Sequence, residues 1–254
     1  MLDNQTEKEI KYEILPEDFN LIDLDFKIIL IGDSGVGKSC LTLKGTKNIF
    51  EDYYQTTIGF EFSTFNIKIN DKYIRLSIWD TCGQEIYRSI ISGFYRNCSL
   101  AMIVYSIDNF ESFQNIHSWV KDLKQQSNPD IKIFLIGNKS DLSEKRVVEK
   151  EKGENFSKEN NFHLFFETSA KTGFNAKNIF IEAAKILYLE HLNYIQKASL
   201  NQNNNNITQT HEKNNVNHKN VNKSNIPIPK KLHNIIIEDD ERQKKGCCWK
   251  NVFH

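Results

Sequence analysis

The sequence has no apolar run that approaches the length of a membrane span, and none behind its N-terminal Met-Leu-Asp-Asn of the kind a secretory leader carries. A membrane-spanning or secreted chain is therefore not expected. Residue 2 is Leu2 rather than glycine, which excludes N-myristoylation. An excess of charge is missing too. The 33 Lys and Arg residues meet 33 Asp and Glu, so no global field draws nucleic acid or a membrane to the chain. The five cysteines (Cys40, Cys82, Cys98, Cys247 and Cys248) are odd in number and lack framework spacing, which argues against a secreted disulfide scaffold. The seven histidines show no ligand spacing with them, so zinc is not expected. No internal repeat is present. These absences lead to the expectation of a soluble, cytoplasmic protein that binds no nucleic acid.

The 254 residues suffice for one domain with a full hydrophobic core or for two small ones. Composition divides them into three parts. Residues 1–24 are polar and weakly patterned, and read as a flexible lead-in. Residues 25–195 alternate apolar strand-like runs (26–31, 60–69, 73–79, 100–106, 131–136 and 163–167) with helical patterns (38–46, 113–126, 148–160 and 175–194). That alternation predicts an α/β fold with a six-stranded, mostly parallel sheet and helices on both faces. The polar link 70–72 (Asn-Asp-Lys) reads as a hairpin, so one edge strand should be antiparallel. Residues 196–254 form the third part. Asparagine fills 11 of the 25 positions 201–225, a tract that cannot bury enough apolar surface to offset its ordering entropy, and disorder is expected.

Chemistry concentrates at strand ends. Residues 32–39 (Gly-Asp-Ser-Gly-Val-Gly-Lys-Ser) lie between a strand and a helix and fit a phosphate loop. Its glycines let successive backbone N–H groups turn inward onto phosphate, and the following helix adds its positive end. Lys38 can then reach the β- and γ-phosphates, and the Ser39 hydroxyl can ligate Mg²⁺. Residues 80–85 (Asp-Thr-Cys-Gly-Gln-Glu) follow another strand. Asp80 suits a Mg²⁺ shell, Gly83 can offer its N–H to a γ-phosphate, and Gln84 can orient an attacking water. Residues 138–141 (Asn-Lys-Ser-Asp) bring a base reader. The Asp141 carboxylate can accept both N–H groups of the guanine N1/N2 edge, a donor pair that adenine lacks. Lys139 can lie along the base, and Asn138 can tie the loop down. Residues 169–171 (Ser-Ala-Lys) complete the pocket, with the Ala170 N–H toward guanine O6. Singly, the last two motifs are short enough to arise by chance. In this order, after these strands, they line the carboxyl ends of one sheet.

These four motifs, with residues 57–59 (Thr-Ile-Gly), resemble the small GTPases of the Ras superfamily. Segments 58–62 (Ile-Gly-Phe-Glu-Phe), 78–85 (Ile-Trp-Asp-Thr-Cys-Gly-Gln-Glu), 87–89 (Tyr-Arg-Ser), 94–96 (Phe-Tyr-Arg), 135–142 (Leu-Ile-Gly-Asn-Lys-Ser-Asp-Leu) and 167–172 (Glu-Thr-Ser-Ala-Lys-Thr) are similar to the Rab branch in particular. The resemblance covers residues 25–195 and implies a single P-loop G domain that binds GTP or GDP with Mg²⁺ and hydrolyses GTP. It implies that Ser34, Gly35, Val36, Gly37, Lys38, Ser39 and Cys40 hold the phosphates. Ser39, Thr57 and Asp80 would hold Mg²⁺, Phe50 would pack on the guanine, and Asn138, Lys139, Asp141, Ser169, Ala170 and Lys171 would read it. Gln84, Lys38 and Gly83 would act in catalysis. Phe62, Trp79 and Phe94 match an aromatic triad that effectors read, although aromatics on strands are as readily core packing. No arginine sits obviously in reach of the γ-phosphate, so an activating protein is expected to supply one, alongside an exchange factor and effectors acting on a monomer.

The chain departs from the Rab pattern in three places. Cys82 stands where alanine is usual, Phe94 where tyrosine is usual, and Asn97 where glycine is usual. The first two remove no group the chemistry needs, the third bears on fine effector specificity, and Cys82 and Cys98 read as packing thiols. The tail differs more. Cys247 and Cys248, beside Lys244 and Lys245, suit lipid attachment and peripheral association with intracellular membranes, yet six residues follow them. Prenylation, palmitoylation and an inert pair all stay open at this point. Two competing functions stay open as well: a GTP-binding scaffold without useful hydrolysis, against which Gln84 argues, and an ATP-dependent phosphate-loop protein, against which Asp141 argues.

Overall fold

The computed structural model describes residues 10–51, 57, 59–83 and 92–210; for Ser92 and residues 201–210 it describes the backbone alone. The strands are β1 (Tyr12–Leu15), β2 (Leu24–Ile31), β3 (Phe60–Ile69), β4 (Lys72–Thr81), β5 (Leu100–Ser106), β6 (Lys132–Asn138) and β7 (Leu164–Glu167). The helices are α1 (Lys38–Lys47), α2 (Phe110–Gln114), α3 (Ile116–Gln126), α4 (Lys150–Glu159) and α5 (Asn178–Thr210), with a 3-10 turn at Ser92–Tyr95. One sheet runs in the order β1-β3-β4-β2-β5-β6-β7. Strands β4, β2, β5, β6 and β7 are mutually parallel, and β3 lies antiparallel to both its neighbours.

Alternation along β2 shows why helices cover both faces. Ile28 and Leu30 point into one core with Leu41 of α1 and Ile179, Phe180, Ala183 and Leu187 of α5. Ile29 and Ile31 point into the other with Phe113 of α2, Trp119 and Leu123 of α3 and Phe156 of α4. All four β2 residues are fully buried, as is every residue of β5, which is why the central strands read as unbroken apolar runs. Burying each such aliphatic side chain is worth about 1.5–3 kcal/mol. The β3–β4 hairpin closes through a two-residue turn between the paired Ile69 and Lys72, with Asn70 in the left-handed region (φ 54) that asparagine tolerates.

The helical pattern 113–126 is realised as two helices, α2 and α3, and two boundaries differ more widely from the sequence-based expectation. Residues 10–24, expected as part of a flexible lead-in, contribute a seventh strand. Strand β1 pairs antiparallel with β3 from Tyr12↔Ile69 to Leu15↔Asn66, so the antiparallel strand β3 is interior and β1 forms the edge. Polar contacts over long sequence distance hold it there. Asn66 Nδ2 donates to the carbonyls of Pro16 (2.9 Å) and Glu17 (3.1 Å), and Arg75 donates to the carbonyl of Phe19 (2.9 Å). Three of the four β1 side chains are exposed, so no apolar periodicity betrays the strand. Helix α5 likewise runs on to Thr210, past the end of its apolar pattern. Once a packed helix exists, each further residue adds a hydrogen bond without a new nucleation step.

Candidate functional site

Strands β2, β4, β6 and β7 end at the same edge of the sheet, and each hands over to one of the four motifs. The loop between β2 and α1 closes on Gly37, which caps α1 with φ 92, and a Cβ there would sit 2.5 Å from Asn138 Nδ2. Glycine is needed at this position for both reasons. Lys38 is buried and folds back over the loop. Its Nζ donates to the carbonyls of Gly32 and Asp33, each at 2.8 Å. Burial pulls its pKa down to about 8, against the opposing pull of Asp80 and Asp33.

Asp80 is the counterpart on β4. It is buried, and burial lifts its pKa to about 6 despite the Ser39 hydrogen bond and nearby Lys38. The Ser39 hydroxyl donates to Asp80 Oδ2, and the Thr57 hydroxyl lies 2.7 Å from that of Ser39. The other Asp80 oxygen, Oδ1, is buried without a hydrogen-bond partner. An orphaned carboxylate oxygen beside two hydroxyls is a hard-oxygen donor set, and it fits Mg²⁺, which takes few protein ligands and completes its shell with water and phosphate. The three residues expected to hold the metal, Ser39, Thr57 and Asp80, thus lie together.

Next to Asp80, Gly83 backs onto the phosphate loop so closely that a Cβ would lie 2.2 Å from the carbonyl carbon of Asp33 and the nitrogen of Ser34. Any side chain at 83 would force the two loops apart. The Cys82 N–H donates to the Gly59 carbonyl at 3.0 Å, joining the segment after β4 to the one before β3. The Cys82 and Cys98 thiols are buried in the core on the α3–α4 face, as packing residues, and burial pushes Cys98 up to about 12. Gln84 lies outside the described residues, as do Cys247 and Cys248.

The base side is a hydrogen-bonded lattice of three loops. Buried Asn138 donates from Nδ2 to the Val36 carbonyl at 2.9 Å and accepts at Oδ1 from the Thr168 hydroxyl at 3.1 Å. The Ser140 N–H donates to the Thr168 carbonyl at 3.0 Å, and the Ser169 hydroxyl donates to Asp141 Oδ1 at 2.5 Å. Asp141, Ser169 and Ala170 therefore converge, with Lys171 exposed beside them. Lys139 (φ 63) stands 4.0 Å from Asp108 and, with Ser34 and Gly35, lines a cleft of about 430 Å³ that reaches Asn109 and Phe110. Cys40 is half-buried in the first turn of α1, and Phe50 is half-buried against the α1–α5 core.

Several contributors carry no motif. Arg146 forms a bidentate ion pair with Glu167 (2.6 and 3.0 Å) and donates to the Val148 carbonyl (2.9 Å), bracing the loop after Asp141 against β7, which ends at Glu167. The Asp33 carboxylate accepts from Trp119 Nε1 at 2.7 Å and Asn115 Nδ2 at 2.8 Å. Only the side-chain types, spread over more than 80 positions, could have signalled that contact. On the outer side of β3 and β4, Phe62 and Trp79 meet edge-on at 5.4 Å, and Trp79 and Phe94 lie 5.0 Å apart. Phe60, which the sequence did not single out, joins them at 4.5 Å from Phe94. Phe62 is 53% exposed and Phe60 45%, while Trp79 and Phe94 are half-buried against the core beneath them, so the patch is core-backed and open to solvent at Phe60 and Phe62. A family model, that of the Ras family, matches residues 27–189.

Proposed function

The chain belongs to the Ras family, as a small GTPase that binds guanine nucleotide, and on that premise we propose that it is a switch of the Rab kind, acting in vesicle traffic on intracellular membranes. The observation that carries this reading is the placement of the aromatic patch. Trp79 immediately precedes Asp80 on β4, and Phe60 pairs with Thr81 across the hairpin, one residue beyond Gly59. The residues that would sense the metal and γ-phosphate, Thr57, Asp80 and Gly83, are thus continuous in chain with the exposed rings of Phe60 and Phe62. Lys27 Nζ lies 5.1 Å from the Trp79 ring and adds a cation to the same surface. A partner docking there would read the state of the nucleotide.

In hydrolysis the chain's own residues position and neutralise. Lys38 holds charge on the phosphates, Gly83 presents its N–H, and Gln84 orients the attacking water. Ser39, Thr57 and Asp80 would hold Mg²⁺, which would supply compensation of the phosphate charge when bound. An arginine from an activating protein completes the site, so unassisted turnover is slow. The tail is the membrane tether. Basic residues near Cys247 and Cys248 add about 1 kcal/mol each at an anionic surface, too little without lipid on the cysteines.

Three tagged variants test the proposal in the cell of origin. Gln84→Leu, locked with GTP, concentrates on vesicle membranes, and Ser39→Asn does not. Replacing Cys247 and Cys248 by serine releases the locked form to the cytosol. An even cytosolic distribution of Gln84→Leu would overturn the trafficking role, and an unmodified C-terminal peptide recovered from membranes by mass spectrometry would overturn the lipid tether.

A further inference from the structure

Asp33 places a carboxylate inside a loop that must hold anionic phosphate. Left to itself, that charge would oppose the ligand. The structure shows it turned away. Both its oxygens are taken, Oδ1 by the indole N–H of Trp119 at 2.7 Å and Oδ2 by the Asn115 amide at 2.8 Å. Asn115 caps the start of α3 and Trp119 follows four residues later, so the two donors share one face of that helix. The main chain of the same residue serves the site directly. The Asp33 carbonyl accepts from Lys38 Nζ at 2.8 Å, and Gly83 packs on its carbonyl carbon. Helix α3, the phosphate lysine and the glycine expected to sense the γ-phosphate all meet at this residue.

We propose that Trp119 and Asn115 are positioning residues for nucleotide binding: their two hydrogen bonds hold the Asp33 carboxylate away from the phosphates and fix the loop main chain on which Lys38 rests. This rests on the phosphates lying in the loop of residues 32–39. It assigns a role to helix α3, which contributes none of the motif residues. Trp119 is also a core residue, 1% exposed, so its packing and its N–H must be separated. The carboxylate itself allows that separation. If the N–H acts by restraining a charge, removing the charge must abolish the effect. If the ring acts by packing alone, removing the charge changes nothing.

The experiment measures release of fluorescently labelled GDP, and of a labelled non-hydrolysable GTP analogue, from the full chain with Mg²⁺. Trp119→Phe keeps most of the ring and deletes the donor. It is expected to speed release by about tenfold, the loss of one charge-assisted hydrogen bond, and more for the triphosphate than for the diphosphate. Asn115→Ala, at a half-buried position, speeds release in the same order of preference. In an Asp33→Ala background, both substitutions change the rate by less than about twofold relative to Asp33→Ala alone. Release from Trp119→Phe and Asn115→Ala at the parental rate overturns the proposal. So does an acceleration that persists undiminished in the Asp33→Ala background. A parent chain that fails to retain labelled GDP would instead overturn the nucleotide reading beneath it.

Discussion

Asn138 and Val36 are joined by a hydrogen bond of 2.9 Å between a buried side-chain amide and a main-chain carbonyl, across more than 100 residues of sequence. It ties the loop of residues 138–141 to the loop of residues 32–39, and the Thr168 hydroxyl on Oδ1 adds the third loop. The Asn138→Ala variant strands both partners in a buried setting, at a cost of about 2–4 kcal/mol. Release of labelled GDP should accelerate by about 30-fold or more, with a lower melting temperature of the nucleotide-free chain. A change below threefold would show that the loops hold their register without this amide.

The orphaned Oδ1 of Asp80 gives a second expectation. Nucleotide retention should depend on Mg²⁺, and chelation should speed GDP release. Asp80→Asn, which keeps the shape and discharges the carboxylate, should weaken Mg²⁺ affinity and raise the free-Mg²⁺ midpoint of GDP retention by about 10–100-fold, as read from GDP release titrated against free Mg²⁺. A variant with the parental Mg²⁺ midpoint would remove Asp80 from the metal shell.

Arg146 and Glu167 are 18% and 10% exposed in their side chains, a largely desolvated pair. Arg146→Ala leaves Glu167 charged and unpaired, which costs about 3 kcal/mol. Thermal unfolding should report that loss, and because Glu167 directly precedes Thr168, Ser169 and Ala170, affinity for GDP should fall with it. Arg146→Lys restores charge without the two-pronged geometry and should recover only part of the stability. Full recovery by lysine would show that charge alone matters.

Most of this site was legible because its chemistry is local. Residues 32–39, 80–83, 138–141 and 169–171 each form a short motif at the end of an apolar run, and the parallel order of β2, β4, β6 and β7 brings those ends together. The lattice joining them was legible only in part. Asn138 stood out by motif, whereas Thr168, Arg146, Asn115 and Trp119 act over 20 to more than 80 residues of separation and look like ordinary helix and loop residues. Strand β1 escaped for the same reason, since its anchors Asn66 and Arg75 belong to the far hairpin. Phe60 escaped because alternation along a strand does not say which face stays open to solvent.

The central claim is that Asp141 reads a guanine base, and competition for labelled GDP tests it most directly. The parent chain should lose its label to unlabelled GDP or GTP and keep it against ATP. Asp141→Asn, whose amide cannot accept both guanine protons, should lose about 2–4 kcal/mol of GDP affinity, roughly 30- to 1000-fold, while xanthine nucleotides compete better than they do against the parent. Unchanged GDP affinity in Asp141→Asn, or ATP that displaces the label from the parent as readily as GTP does, would contradict the account.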